Sequence, residues 1–169
     1  MNQKSLCSRN ERNYQFRERL LEIHKKNIRN INALRKDNEF EFKDGLCIYL
    51  PVKCSDVVLT AAKDFEDYLF TSMNVSAMLK CSEAPKGGNC LTIKADYGSE
   101  SELGDAFGYR GFRIDINQNE VSVCGFDDRG IAQALYYLED IMNIREAPFV
   151  QYGTLKRKPL YSPQMVHSG

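Results

Sequence analysis

Few residues in this chain have the type and spacing that chemistry needs. Asp127 and Asp128 are adjacent carboxylates, the kind of pair that acid–base catalysis can use. They stand directly before Arg129-Gly130 and a helical run, and aspartate is a preferred helix cap, so capping accounts for them. Glu100, Glu102 and Asp105 bring three carboxylates close together and suggest calcium. Their spacing departs from the twelve-residue EF-hand pattern, so a solvated acidic loop is expected. His24 lies among charged residues and is expected at the surface. His167 follows Met165-Val166 near the end of the chain and is read first as a polar residue of a frayed tail.

Cysteine is the other reactive type. The six, at positions 7, 47, 54, 81, 90 and 124, include no Cys-x-x-Cys pair. With only two histidines beside them, they lack the closely spaced four-ligand pattern of structural zinc. Cys47, Cys81, Cys90 and Cys124 fall within or beside apparent strands, where a thiol packs as a small hydrophobe. Reduced core cysteines are therefore expected, which suits the cytoplasm. The alternative is a Cys81–Cys90 bridge across a loop, which would imply an oxidising compartment such as the periplasm. There is no Walker loop, G-x-G-x-x-G, H-E-x-x-H or G-x-S-x-G, and Gly87-Gly88 reads as a loop element. Tyr136 and Tyr137 are expected to pack on a helix rather than form a sugar platform. No catalytic, cofactor-binding or metal-binding residue is assigned.

The elements that must position these residues follow from periodicity. Phe16, Leu20, Ile23, Ile28, Ile31 and Leu34 recur at near-helical spacing and predict a long amphipathic helix over 10–36. Leu46 to Val52 is strand-like. Ser55 can cap a helix carrying Val58, Ala61, Ala62, Phe65 and Leu69 through about Ser72. Val75 to Lys80 returns to strand character, so the stretch reads as a βαβ unit with a parallel pair. Pro85, Gly87 and Gly88 mark a loop, Leu91 to Ala95 a strand, and Asp96 to Gly108 a longer loop. Phe112, Ile114 and Ile116 alternate with Arg113 and Asp115, then Val121 and Val123 with Ser122 and Cys124, across an Asn117–Asn119 turn. That is a hairpin. Ile131, Ala134, Leu135, Leu138, Ile141 and Met142 line a last helix, with Gly130 allowing close packing of its first turn. Phe149 to Lys156 could form a final strand. The fold class is thus α+β: a mixed sheet of about five or six strands with helices mainly on one face, plus the N-terminal helix.

Bulk properties exclude several classes. The 169 residues suffice for one domain with a real core, and no run approaches the roughly 18 apolar residues of a membrane span. Net charge is zero, but residues 1–38 hold ten Lys or Arg against four Asp or Glu. Such an arm can attract nucleic acid. A solvated helix face, or one docked on an acidic neighbour, is the expected use, so neither nucleic acid nor membrane is assigned as a partner. Three segments result: a basic helix at 1–38, an α/β domain at 39–158 and an extended tail at 159–169.

From Tyr109 onward the chain resembles the small N-terminal domain that precedes the catalytic barrel in β-hexosaminidases, α-glucuronidases and related glycoside hydrolases. The resemblance is carried by Gly108-Tyr109-Arg110-Gly111-Phe112-Arg113-Ile114, Val121-Ser122-Val123-Cys124-Gly125 and the helix from Asp127-Asp128-Arg129-Gly130 to Tyr136-Tyr137-Leu138. Lys156-Arg157-Lys158-Pro159-Leu160-Tyr161-Ser162-Pro163 fits the basic, proline-containing lead-in, and Gln164 to Gly169 fits a first barrel strand. In that setting His167 would stand at a strand end, where barrel enzymes place functional side chains. The resemblance implies a non-catalytic accessory domain whose partner is a C-terminal barrel of the same polypeptide, with carbohydrate as a further ligand class. The alternative is a free-standing interaction module docking through its basic helix. Sugar specificity and oligomeric state do not follow from the sequence.

Overall fold

The computed structural model describes residues 23–82, 88–94 and 100–160. Chain order is β1 (Glu39–Glu41), β2 (Leu46–Leu50), α1 (Asp56–Met73), β3 (Ala77–Cys81), β4 (Cys90–Ile93) and a one-turn helix α2 (Glu100–Leu103) that runs into a 3₁₀ turn (Gly104–Ala106). Then come β5 (Phe112–Ile116), β6 (Glu120–Gly125), α3 (Asp128–Arg145), β7 (Phe149–Gln151) and β8 (Gly153–Arg157). The fold is α+β, with a mixed six-stranded sheet of order β3-β2-β4-β6-β5-β8 and a second, two-stranded sheet of β1 and β7. β3, β2, β4 and β6 run parallel, while β5 is antiparallel to both β6 and β8.

Period-two alternation decides which face is covered. Leu46, Ile48, Leu50, Leu91, Ile93, Ile114, Val121 and Val123 join one core with Phe65 and Leu69 of α1 and Ile131, Leu135 and Leu138 of α3. Burying each such side chain contributes about 1.5–3 kcal/mol before chain entropy is counted. The residues between them, including Cys47, Cys90, Ser122, Arg113 and Asp115, project to the opposite face. Ser55 caps α1 by accepting from the Val58 amide at 3.3 Å, and α1 ends at Asn74 in the left-handed region.

The βαβ unit takes the predicted parallel form, and Ile114 pairs with Val123 in the predicted hairpin. Gly130 does permit a close approach, but to the chain entering β5: a Cβ there would sit 2.4 Å from the Gly111 carbonyl oxygen. Three expectations are corrected. The 96–108 stretch holds α2 and the 3₁₀ turn among its described residues. The expected final strand is two, split at Tyr152 before Gly153, because β7 pairs with β1 while β8 pairs with β5.

The third correction concerns the N-terminal helix. Residues 10–22 lie outside the described residues, and residues 23–36 form turns and irregular structure. Asn27 is left-handed (φ 53°), which a helix does not tolerate. The amides of Asn27 and Arg29 donate to the carbonyls of Thr71 and Ser72, and that of Asn30 to Glu146. These acceptors belong to the C-terminal ends of α1 and α3, where carbonyls lack intrahelical donors. Residues 27–30 thus serve the ends of two other helices rather than continuing a helix of their own. The arm's apolar stripe disperses accordingly, with Ile28 packed on the core while Ile31 and Leu34 are 86% and 84% exposed.

Candidate functional site

Three polar assemblies stand out against the apolar core. The first ties the arm down. Arg145, in the last turn of α3, donates from Nε to Glu39 Oε1 at 2.9 Å and from Nη2 to the Leu34 carbonyl at 2.8 Å. Glu39 Oε2 also accepts from the Lys36 amide at 2.8 Å. The hydrogen bond from Arg145 holds the Glu39 carboxyl below its ordinary value against the cost of burial. Arg29 donates to the Met73 carbonyl, so this basic side chain serves the negative end of a helix.

The second assembly lies between α1 and α3. Tyr68 Oη donates within reach of the Glu139 carbonyl (3.1 Å) and Asn143 Oδ1 (2.9 Å). Glu139 is 9% exposed, and its Oε1 has no hydrogen-bond partner. Burial first, then the charges of Asp64 and Asp140, push its carboxyl up to about 8. His24 closes this seam. Its Nε2 lies 3.0 Å from Asp64 Oδ1, its ring meets Tyr68 edge-on, and its side chain is 7% exposed. The expected surface position for His24 is thus corrected, because the arm folds back and carries the ring onto α1.

The third assembly is an open groove of about 230 Å³ beside the exit of β8, lined by Arg110, Phe112, Tyr136, Tyr137, Asp140, Arg157, Lys158 and Pro159 among others. Arg157 lies 4.6 Å from the centroid of the Tyr137 ring and donates to its hydroxyl at 2.8 Å. Phe112 supports that ring with centroids 5.9 Å apart. At one end Arg110 covers Tyr109 at 4.9 Å, and Arg129 donates to the Tyr109 hydroxyl. Hydrogen bonds from these arginines, Arg110 first, draw the Tyr109 phenol below its ordinary value. Asp127 sets the geometry: Oδ1 caps α3 on the Gly130 amide at 2.7 Å and Oδ2 accepts from the Arg110 amide at 3.2 Å. Among the described residues, Asp140 is the one acidic side chain lining the groove. The groove presents mainly aromatic and cationic side chains.

The sequence-stated candidates disperse. Asp127 is the cap, and Asp128 follows in the first turn of α3. Glu100 and Asp105 sit on the short helical turns, and no group of three or more His, Cys, Asp or Glu among the described residues could hold a metal ion. Tyr136 and Tyr137 share the groove with Arg157, a role that helix periodicity alone did not reveal. Its signal was the arginine beside an aromatic in Tyr109-Arg110 together with the basic run Lys156-Arg157-Lys158. Cys81 and Cys90 cannot meet, because β2 lies between their strands. Cys47, Cys54, Cys81, Cys90 and Cys124 carry no disulfide. His167 and the tail from 161 lie outside the described residues, as does Gly87.

No family model and no curated protein matches this sequence. Solved structures do. The β-hexosaminidase of Streptomyces plicatus is similar over 76% of this chain and 25% of its own, at 17% identity and a TM-score of 0.54. CpGH84D is similar over 76% and 23%, at 8% identity and a TM-score of 0.53. A family GH115 4-O-methyl-α-glucuronidase, BtGH115A, is similar over 73% and 18%, at 11% identity and a TM-score of 0.53. This chain therefore spans about a quarter or less of each of them, and at these identities the likeness is one of fold. The fold of this chain is that of a part of larger glycoside hydrolases.

Proposed function

We propose that this chain is a non-catalytic accessory domain of a carbohydrate-cleaving enzyme, standing N-terminal to a catalytic barrel in the same polypeptide. The observation that carries the reading is the fold likeness itself, which takes in about three quarters of this chain but a quarter or less of three glycoside hydrolases of different families. A domain shared by enzymes with different substrates supplies something other than the chemistry. The groove at Tyr137 and Arg157 supports this role. It lies where the chain leaves β8, and Lys158 and Pro159 of the lead-in line it. Aromatic and arginine side chains are the types enriched at protein interfaces, so a following domain would find a ready surface.

The test compares this chain with the polypeptide extended along its own reading frame. The extended protein is expected to hydrolyse an aryl glycoside from a panel, while residues 1–169 alone give no turnover. In the extended protein, Arg157→Ala with Tyr137→Ala is expected to lower the unfolding temperature of the junction without abolishing hydrolysis. Hydrolysis by the isolated chain at rates comparable to the extended protein would overturn the reading. So would a reading frame that stops directly after Gly169.

A further inference from the structure

The face of the sheet turned away from α1 and α3 carries a pair of thiols. Cys47 of β2 and Cys90 of β4 are register partners in a parallel pair. Their neighbours Ile48 and Leu91 point into the helix-covered core, so both sulfurs project to the same opposite face. Both residues carry no disulfide, Cys47 being half-buried and Cys90 buried. Neighbouring strands lie about 4.7–4.9 Å apart, inside the Cα window of about 4.4–6.8 Å that a disulfide spans. Among the strand cysteines of the described residues, Cys81 pairs with Leu50 on the far side of β2, and Cys124 pairs with Arg113 of β5.

From this register we infer that Cys47 and Cys90 form a reversible dithiol–disulfide site that exchanges with small disulfides of the glutathione class. The two sulfurs have different surroundings, which gives them different roles. Cys47 is the more accessible, and Lys80 on β3, the register partner of Tyr49, lies two positions along from Cys47 on the same face. Cys90 is shut in, and burial pushes its thiol up, so it waits protonated. Cys47 gives its proton to solvent and attacks one sulfur of the small disulfide, forming a mixed disulfide and releasing one small thiolate, which takes up a proton. Cys90 then gives its proton to solvent and attacks the Cys47 sulfur, expelling the second small thiolate. Two S–H bonds are lost and one S–S bond forms, while the small disulfide is reduced to two thiols.

The same geometry makes the bond reversible. Side chains of parallel register partners project side by side, so their Cβ atoms are spaced about as widely as the strands. A relaxed disulfide needs them at about 3.5–4.5 Å, and closing the gap strains the bond and makes it easier to reduce.

The experiment equilibrates the full chain in glutathione buffers of graded oxidation, quenches it by alkylation under denaturing conditions and maps peptides by mass spectrometry. A Cys47–Cys90 linked peptide is expected to rise with the oxidised fraction and to vanish with dithiothreitol. Cys90→Ser should stop at a glutathione adduct on Cys47, Cys47→Ser should leave Cys90 unmodified, and Cys81→Ser should behave as the unaltered chain. Lys80→Met should slow adduct formation on Cys47 several-fold without changing the pairing. Because the pairing is read on the unaltered chain, a variant that fails to fold does not blunt the test. The inference is overturned if Cys47 joins any other cysteine, including Cys7 or Cys81. It is equally overturned if Cys90 is alkylated as a thiol at every poise.

Discussion

Glu39 and Glu139 are both buried acids in contact with the α3 region, at 2% and 9% exposure, yet their environments drive them in opposite directions. Glu39 meets a guanidinium and a backbone amide and is held as a carboxylate. Glu139 meets the charges of Asp64 and Asp140, leaves one oxygen without a partner, and is pushed up to about 8. Burial disfavours charge at both positions, so the partner decides. At the end of α3 a carboxylate fastens the N-terminal arm. In the middle of α3, burial and two neighbouring carboxylates push the other acid toward its neutral form where the two helices pack.

Removing the cation breaks this contrast most directly. Arg145→Met would leave Glu39 buried without its counter-charge, and a loss of about 2–3 kcal/mol in denaturant unfolding is expected, since the arginine is itself partly exposed. Adding Glu39→Gln to Arg145→Met should recover at least half of that loss, because the uncompensated charge is then gone. Arg145→Met should also speed amide exchange in residues 27–36, whose arm loses the bond to the Leu34 carbonyl.

The pH dependence sharpens the same comparison, with opposite signs. Glu139 titrates near 4.5 when unfolded and at about 8 when folded, so its contribution is complete below 4.5 and is lost as pH rises to about 8. The full shift corresponds to about 5 kcal/mol, and partial solvation of the site discounts it to a decline of about 2–3 kcal/mol across that window, which Glu139→Gln should flatten. Glu39 is lowered, so its contribution is present above 4.5 and is lost as pH falls through its folded value. Arg145→Met should shallow the acid limb while leaving the alkaline decline untouched. Unfolding free energies from pH 3 to 9 separate the two limbs.

How much of this was legible in the sequence depends on whether the controlling partner was local. The Ser55 cap, the hairpin over Asn117–Asn119 and the Asp127 cap rest on neighbours within a few residues, and each was readable from spacing. The arm was not. Ile23, Ile28, Ile31 and Leu34 have helical spacing, but the donors of Asn27, Arg29 and Asn30 are claimed by carbonyls some forty to over one hundred residues away. β1 was missed for the same reason: a three-residue strand has almost no period, and its partner β7 lies at the other end of the domain. Of the candidate groove, Arg110 and Arg157 could be noted as basic residues near aromatics, but their sharing one groove depends on β5 and β8 becoming neighbours. Cys47 and Cys90 were both placed on strands; only the order of strands in the sheet reveals that they are partners and that Cys81 is not.

The smallest effect discriminates between the two buried acids most finely. Tyr68→Phe removes the hydroxyl that reaches the Glu139 carbonyl and Asn143 Oδ1, and a cost of about 1 kcal/mol is expected. The acceptor on Glu139 is its main chain, so the hydrogen bond does not depend on the carboxyl group. Tyr68→Phe and Glu139→Gln should therefore combine additively within about 0.5 kcal/mol, although the residues touch. Glu39→Gln and Arg145→Met, whose side chains bond directly, should instead show a coupling above about 1 kcal/mol. Paired double-mutant cycles at neutral pH measure both. Strong coupling between Tyr68 and the Glu139 carboxyl would mean that the seam between the helices is a linked polar network rather than a buried neutral acid beside an independent tyrosine anchor.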